Sequence, residues 1–373
     1  LVPQQSVRKG AKAFCFFFSK KKTFLMPQLI DILPQHRFNE AALAAMLPPA
    51  LPEAAPPFTL RQFQGGQSNP TFLLEDSAGH RYVLRKKPPG AILPSAHAVE
   101  REYAVMHALG PIGVPVPTMR LLCEDPAVIG TNFYVMDYID GRVLTDLTLA
   151  DIPQPERAAY YFAMADGLAA LHRVDWRAAG LENFGKPESY VARQINRWTR
   201  QYLASDPEPN PDMENLLAWL PAHVPADEQA VIAHGDFRLG NLMFAPDTPR
   251  LLAILDWELA TIGHPLSDLA YLCAFYRLPH DGGPFRGLGG LDLAALGIPD
   301  EAAVVARYCA AVGRPSPPPD WNFYLAFSSF RSAAIGQGVF DRSRRGNAAD
   351  KRAHLYLDMV KTCARLGWQT ARG

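Results

Sequence analysis

Residues 231–244 read VIAHGDFRLGNLMF, a run that sets His234, Gly235, Asp236 and Asn241 in one short polar island between apolar flanks. The flanks VIA and LMF have the character of short strands, so the island is expected to be a loop. A turn, APDTP at 245–249, sends the chain back into RLLAIL, and Asp256 stands at the exit of that segment in DWE. Two carboxylates, Asp236 and Asp256, should therefore emerge near the ends of neighbouring strands, with Asn241 beside them. Phosphoryl transfer needs this inventory. One carboxylate receives or orients the proton of an attacking hydroxyl, while a second carboxylate and an amide oxygen hold Mg²⁺ on the phosphates of ATP. Hard oxygen ligands suit that ion. The competing reading is that Asp236 and Asn241 are ordinary turn formers; the hairpin and the second acid favour the chemistry.

The elements that must position these groups fall into two textures. FNEAALAAMLPPALPEAAPP (38–57) gives a helix and then a proline-rich connection. FTLRQFQGGQSNPTFLLEDSAGHRYVLRKKPPG (58–90) reads as strand, glycine turn, strand, DSAG turn, strand. AVEREYAVMHAL (98–109) has helical spacing, with Val99, Tyr103 and Met106 on one face, and a proline-rich passage leads to the strand TNFYVMDYI (131–139). Beyond residue 145 long amphipathic helices dominate: 154–174, then near 188–204 and 212–219, then mostly helix from Pro265 to the end. No internal repeat is present. The fold class expected is α+β, with a small β-rich lobe at 26–138 and a larger helical lobe at 139–373.

The ordered motifs resemble those of the aminoglycoside phosphotransferase and choline kinase superfamily, which shares the bilobal protein-kinase-like fold. HGDFRLGN followed by ILDWE is similar to that superfamily's catalytic loop and metal-binding acid, with the Asp-to-Asn spacing of the protein-kinase loop. Within the superfamily the chain resembles most the phosphotransferase domain of acyl-CoA dehydrogenase family members 10 and 11. The matching segments are GGQSNPTFLL, YVLRKKPPG, AHAVEREY, GTNFYVMDYIDGRV, HGDFRLGNLMF, ILDWELATIGHPLSDLAYL and FRSAAIGQGVF, in family order from about residue 58 to 342. The resemblance implies that Asp236 is the catalytic base and that Asn241 and Asp256 are magnesium ligands. It makes FQGGQSNPTF the phosphate-covering turn, where Gly65 and Gly66 admit the phosphates and Ser68 and Asn69 offer donors. Arg85 stands where protein kinases carry a phosphate-pairing lysine, with Lys86 and Lys87 after it. Arginine and lysine are not equivalent there, and strand alternation favours Arg85 because it shares a face with Val83. Glu102 is the expected ion-pair partner, with Glu100 as the second choice. The stretch Asp137-Tyr138-Ile139 becomes the inter-lobe hinge whose backbone reads adenine. His234 and Asp268 are expected to hold the loop in shape.

The same resemblance suggests an acceptor: a hydroxylated acyl-CoA, in particular a 4-hydroxyacyl-CoA, or a related hydroxy acid. No dehydrogenase domain is recognised in the chain, so a separate acyl-CoA dehydrogenase would act in the same pathway. An aminoglycoside or amino-alcohol acceptor is the alternative within the class, and a nucleotide-binding pseudokinase that regulates a partner is the alternative outside it. Retention of Asp236, Asn241 and Asp256 together argues against the pseudokinase. Arg331, Gln337, Arg342, Arg344 and Arg345 could meet the anionic part of a substrate, although solvated helix charge accounts for most of them.

Composition agrees with a small-molecule enzyme. The 37 basic and 37 acidic residues cancel, so no global field points to nucleic acid or an anionic membrane. Five cysteines, without CxxC spacing, argue against a disulfide framework or a structural zinc site and fit a reducing cytoplasm. Residues 1–25 begin with Leu and carry a very short apolar core, FCFFF, followed by three lysines; neither a secretory signal nor a membrane span is expected. They read as a non-native or disordered extension before Met26.

Overall fold

The computed structural model describes residues 29–64, 69–88, 98–281, 285–344 and 353–373. The extension expected at 1–25 lies outside them, as do Gly65, Gly66, Ser68 and Arg345.

Short runs rich in β-branched and aromatic residues build an antiparallel six-stranded sheet: β1 (Leu29–Ile30), β2 (Thr59–Phe63), β3 (Thr71–Glu75), β4 (Arg81–Lys86), β5 (Met119–Cys123) and β6 (Phe133–Asp137), in the order β1-β2-β3-β4-β6-β5. Strand β5 lies inside the passage read from sequence only as proline-rich. Side chains alternate across the sheet. One face, with Phe72, Leu74, Tyr82, Leu84, Phe133 and Val135, packs on Leu43 and Leu47 of α1 (Glu40–Ala50), a helix whose first turn is capped by the Asn39 side chain. The other face carries α2 (Val99–Leu109), whose Val99, Val105, Met106 and Leu109 join the main core with Tyr134. A one-turn helix, α3 (Pro126–Ile129), packs against α1.

This parity decides where the cations of β4 go. Lys86 follows Tyr82 and Leu84 to the α1 face, where its ammonium sits 5.5 Å from the Phe38 ring centroid and burial lowers its pKa. Arg85 goes to the α2 face, toward the cleft.

The larger lobe contains β7 (Arg142–Val143), α4 (Arg157–His172), α5 (Tyr190–Leu203), α6 (Pro211–Ala222), β8 (Val231–Ala233), β9 (Leu242–Phe244), β10 (Leu251–Ile254), β11 (Thr261–Gly263), α7 (Pro265–Arg277), α8 (Leu293–Leu296), α9 (Glu301–Val312), α10 (Trp321–Arg344) and α11 (Ala353–Ala371). Helix α7 is buried almost all round from Pro265 to Cys273, the mark of a central helix, and α10 packs against it. The hairpin β9–β10 forms as expected, and β7 adds to its β9 edge. Strand β8 does not join that sheet. It pairs with β11, a strand that sequence reading missed. Asp236 and Asp256 thus leave strands of two separate small sheets, and the loop between β8 and β9 is what brings them together. No described helix is long and apolar enough to cross a membrane.

Candidate active site

The loop after β8 is built by its own side chains. Gly235 takes φ +82°, and a Cβ there would lie 2.9 Å from the carbonyl oxygen of Leu259, so both conformation and space demand glycine. Nδ1 of His234 accepts the backbone N–H of Asp236 at 3.2 Å, which requires that nitrogen to be bare. Nε2 then carries the hydrogen and donates it to the carbonyl of Leu255 at 2.9 Å. Both ring nitrogens are committed to joining the loop to the exit of β10. Asp268, fully buried on α7, accepts the backbone N–H of His234 at 2.6 Å on one oxygen and that of Gly235 at 2.9 Å on the other. His172 of α4 stands behind it, with Nε2 at 3.4 Å and its other nitrogen 2.7 Å from the Tyr308 hydroxyl. Burial alone would raise the Asp268 pKa; the His172 hydrogen bond and charge and the Gly235 N–H outweigh it and hold the carboxyl below its ordinary value.

This scaffold presents Asp236 at the cleft. Its Oδ1 accepts the hydroxyl of Tyr271 at 2.6 Å, and Oδ2 accepts the Asn241 amide at 2.7 Å and Arg238 Nε at 3.3 Å. Burial, followed by the Asp236 charge, pushes the Tyr271 phenol well above its ordinary pKa, so Tyr271 is a hydrogen-bond donor here and not a second base. The Asn241 Nδ2 also reaches the Asp236 carbonyl at 2.9 Å, and Oδ1 of Asn241 has no donor on it among the described residues. Asp256 occupies a left-handed conformation, φ +65° and ψ +67°, uncommon for a residue with a Cβ. Its Oδ1 meets Arg85 Nη2 at 3.3 Å, and Oδ2 has no partner among the described residues.

Arg85 bridges the lobes. Besides Asp256, it pairs with Glu102 of α2, Nε to Oε2 at 2.9 Å. Burial disfavours this guanidinium, but the carboxylates of Glu102 and Asp256 overcome that and raise its pKa. Glu102 is itself buried, and there burial wins over Arg85 and raises its pKa; Tyr134 at 3.1 Å and Asn69 at 2.7 Å both donate to it. Glu100, the second choice, pairs instead with Lys87 at 2.5 Å. Asn69 is expected to offer its amide to phosphate; its side chain is buried and donates to Glu102. Gly65, Gly66 and Ser68, the rest of that expectation, lie outside the described residues. In the segment expected as the hinge, the Asp137 carboxylate is tied to Arg120 at 2.6 Å. The N–H groups of Asp137 and Tyr138 are used by Thr118 and Arg81, and that of Ile139 has no partner among the described residues. Next to Glu102, Arg101 donates to the carbonyls of Phe184 at 2.7 Å and Ala260 at 3.3 Å, and its guanidinium lies 4.3 Å from the Phe184 ring centroid.

Sequence reading missed Tyr271, Arg238 and His172 as members of the site. Tyr271 left one signal: it follows Asp268 by three residues, which puts both on one face of a helix. Of the C-terminal polar residues singled out, Arg331 reaches the site and donates to the Gly235 carbonyl; Gln337 is buried in α10, and Arg344 lies 3.9 Å from Asp341.

Residues 59–317 match the phosphotransferase enzyme family, APH. The chain belongs to this family. Among curated proteins it is 46% identical to mouse (Mus musculus) acyl-CoA dehydrogenase family member 10 over 315 residues, covering 84% of this chain and 29% of that protein. It is 42% identical to human (Homo sapiens) acyl-CoA dehydrogenase family member 11 over 349 residues, covering 92% and 44% respectively. The chain therefore spans less than half the length of these relatives. A crystal structure from Ralstonia eutropha, described as a "putative aminoglycoside phosphotransferase", is 46% identical and superimposes with a TM-score of 0.83 over 90% of this chain and 99% of that one. The sheet lobe and helical lobe are thus the two halves of a kinase-like fold, and the family's members are small-molecule phosphotransferases.

Two oxygens bear on whether a metal suits this site. Asn241 Oδ1 and Asp256 Oδ2 are uncommitted among the described residues, and both are hard donors of the kind magnesium takes. The donor set fits.

Proposed function

We propose that this chain is an ATP- and Mg²⁺-dependent kinase that phosphorylates a hydroxyl of a small molecule. One observation carries the reading: a rigidly braced Asp236 carboxylate shares its loop with an amide oxygen, and a second carboxylate and an inter-lobe arginine stand opposite. Asp236 orients the acceptor hydroxyl and takes its proton as the oxygen bonds to the γ-phosphorus and the bond from that phosphorus to the departing ADP breaks. Asn241 and Asp256 hold magnesium, and Arg85, kept in place by Glu102, pairs with the phosphates. Magnesium, when bound, neutralises charge on the transferred group. The braced loop supplies positioning in advance, which is the larger part of such catalysis.

The acceptor we favour is a 4-hydroxyacyl-CoA or a related hydroxy acid, supported by the similarity to relatives named as acyl-CoA dehydrogenases. An acyl-CoA dehydrogenase is accordingly the partner proposed for the same pathway. The test is Asp236→Asn in an ATP-consumption screen over hydroxyacyl-CoAs, hydroxy acids, amino alcohols and aminoglycosides. Turnover should fall about a thousandfold, the range of general-base catalysis, while Mg·ATP binding is kept. Unchanged turnover would remove Asp236 from the chemistry.

A further inference from the structure

The wall beside Asp236 is cationic, and part of it lacks a partner. Arg331 of α10 is only 7% exposed. One of its terminal nitrogens donates to the Gly235 carbonyl, next in the chain to Asp236, and its guanidinium carbon lies 5.3 Å from the Tyr271 ring centroid and 5.8 Å from that of Trp198. Its Nε is buried with no hydrogen-bond partner, and no carboxylate lies within ion-pair distance of it among the described residues. Arg197, from α5, sits over the same Trp198 ring at 5.0 Å. Burial, and then the nearby Arg331 charge, press the Arg197 pKa below its ordinary value. Two guanidiniums sharing one indole repel each other, and a buried N–H without an acceptor is costly. An oxyanion beside Arg331 would supply the acceptor that its Nε lacks, with Arg197 adding to the positive field there.

We infer that Arg331 and Arg197 form a subsite for an anionic oxygen group of the acceptor, a carboxylate or a phosphate. The inference rests on the reading of Asp236 as the place where the acceptor hydroxyl binds. Tyr271 links the two functions, since its hydroxyl holds the Asp236 carboxylate and its ring carries Arg331. With Arg238 at 3.3 Å from Asp236 as a third cation, the same wall repels polycations such as aminoglycosides.

Calorimetric titration without nucleotide tests this, using 4-hydroxypentanoate, its CoA thioester, the neutral 1,4-pentanediol and kanamycin. The subsite predicts that an anionic probe binds and that the diol and kanamycin do not. Arg197→Gln, which leaves the Gly235 contact untouched, should weaken the anion roughly ten- to a hundredfold. Arg331→Lys, which keeps the charge and loses the fork, should weaken it less. In turnover the Arg197→Gln loss should appear in KM for the anionic acceptor, with kcat within about threefold. Loss of the free acid assigns the anion to a carboxylate, and loss of the thioester alone assigns it to a phosphate; either supports the subsite. Equal binding of acid and diol, no binding of either anion, or wild-type anion affinity in a folded Arg197→Gln overturns it. Turnover of the diol with full activity in both variants would leave the kinase reading standing and remove the subsite. Anion binding lost in Arg197→Gln with no transfer to any acceptor would do the reverse.

Discussion

Asp268→Asn separates bracing from chemistry. In the native protein the two oxygens of this buried carboxylate each take one backbone N–H, from His234 at 2.6 Å and Gly235 at 2.9 Å. An amide has the same shape but only one acceptor oxygen. One of the two N–H groups would then face an NH₂, buried and unsatisfied, at a cost of about 1–3 kcal/mol, and the remaining bond would lose its charge assistance, about 1 kcal/mol more. The sum, about 2–4 kcal/mol, should be concentrated in the loop. Hydrogen exchange read by mass spectrometry on a peptide spanning 231–244 should show the His234 and Gly235 amides exchanging about thirty- to a thousandfold faster. Phosphoryl transfer should fall with them, and by more than the affinity for Mg·ATP, which on the proposed reading is shared by Asn241 of this loop with Asp256 and Arg85 outside it. Lost activity with unchanged protection of those two amides would refute the bracing argument and put Asp268 in the chemistry itself.

Two further outcomes follow from buried charges. Glu102→Gln breaks the buried pair with Arg85, a change that costs about 3–5 kcal/mol, and should lower the unfolding temperature and raise KM for Mg·ATP but not for the acceptor; a variant with native nucleotide affinity would exclude Glu102 as the group that sets Arg85. His264, stacked on Tyr324 with ring centroids 4.8 Å apart, is buried, and burial drives its pKa from 6.5 to about 4 despite Asp227. Its folded pKa is depressed, so its neutral form stabilises the fold above about pH 6.5, and up to about 3 kcal/mol is lost as pH falls toward 4. Unfolding temperatures measured across this window should fall less steeply in His264→Asn, which keeps an acceptor for the Leu266 N–H; identical slopes would sink the assignment.

What the sequence made legible was short-range. Asp236 and Asn241 share one loop, and strand parity alone sends Arg85 and Lys86 to opposite faces, so spacing sufficed for both. Glu102 is favoured over Glu100 by its match to the family pattern, since both stand on the same helix. The groups that tune Asp236 come from far away in the chain: Tyr271 is 35 residues on, and Arg331 lies 96 residues from Gly235. No local pattern encodes such pairings, because the packing of α7 against α10 creates them. Strand β11 escaped notice for a related reason. Its three residues have no turn signature to β8, 28 or more residues earlier, and only the closed loop brings the two together.

Helix α2 carries one more consequence. In protein kinases the glutamate that pairs with the phosphate-binding cation rides on a helix whose position is under control, so the pair can be made or withdrawn. Here the residue before Glu102 is fastened to the larger lobe by two carbonyls and an aromatic ring. Withdrawing Glu102 would mean tearing Arg101 from Phe184 and Ala260 at the same time. The Arg85–Glu102 pair is thus tied to the larger lobe through its neighbour in the chain.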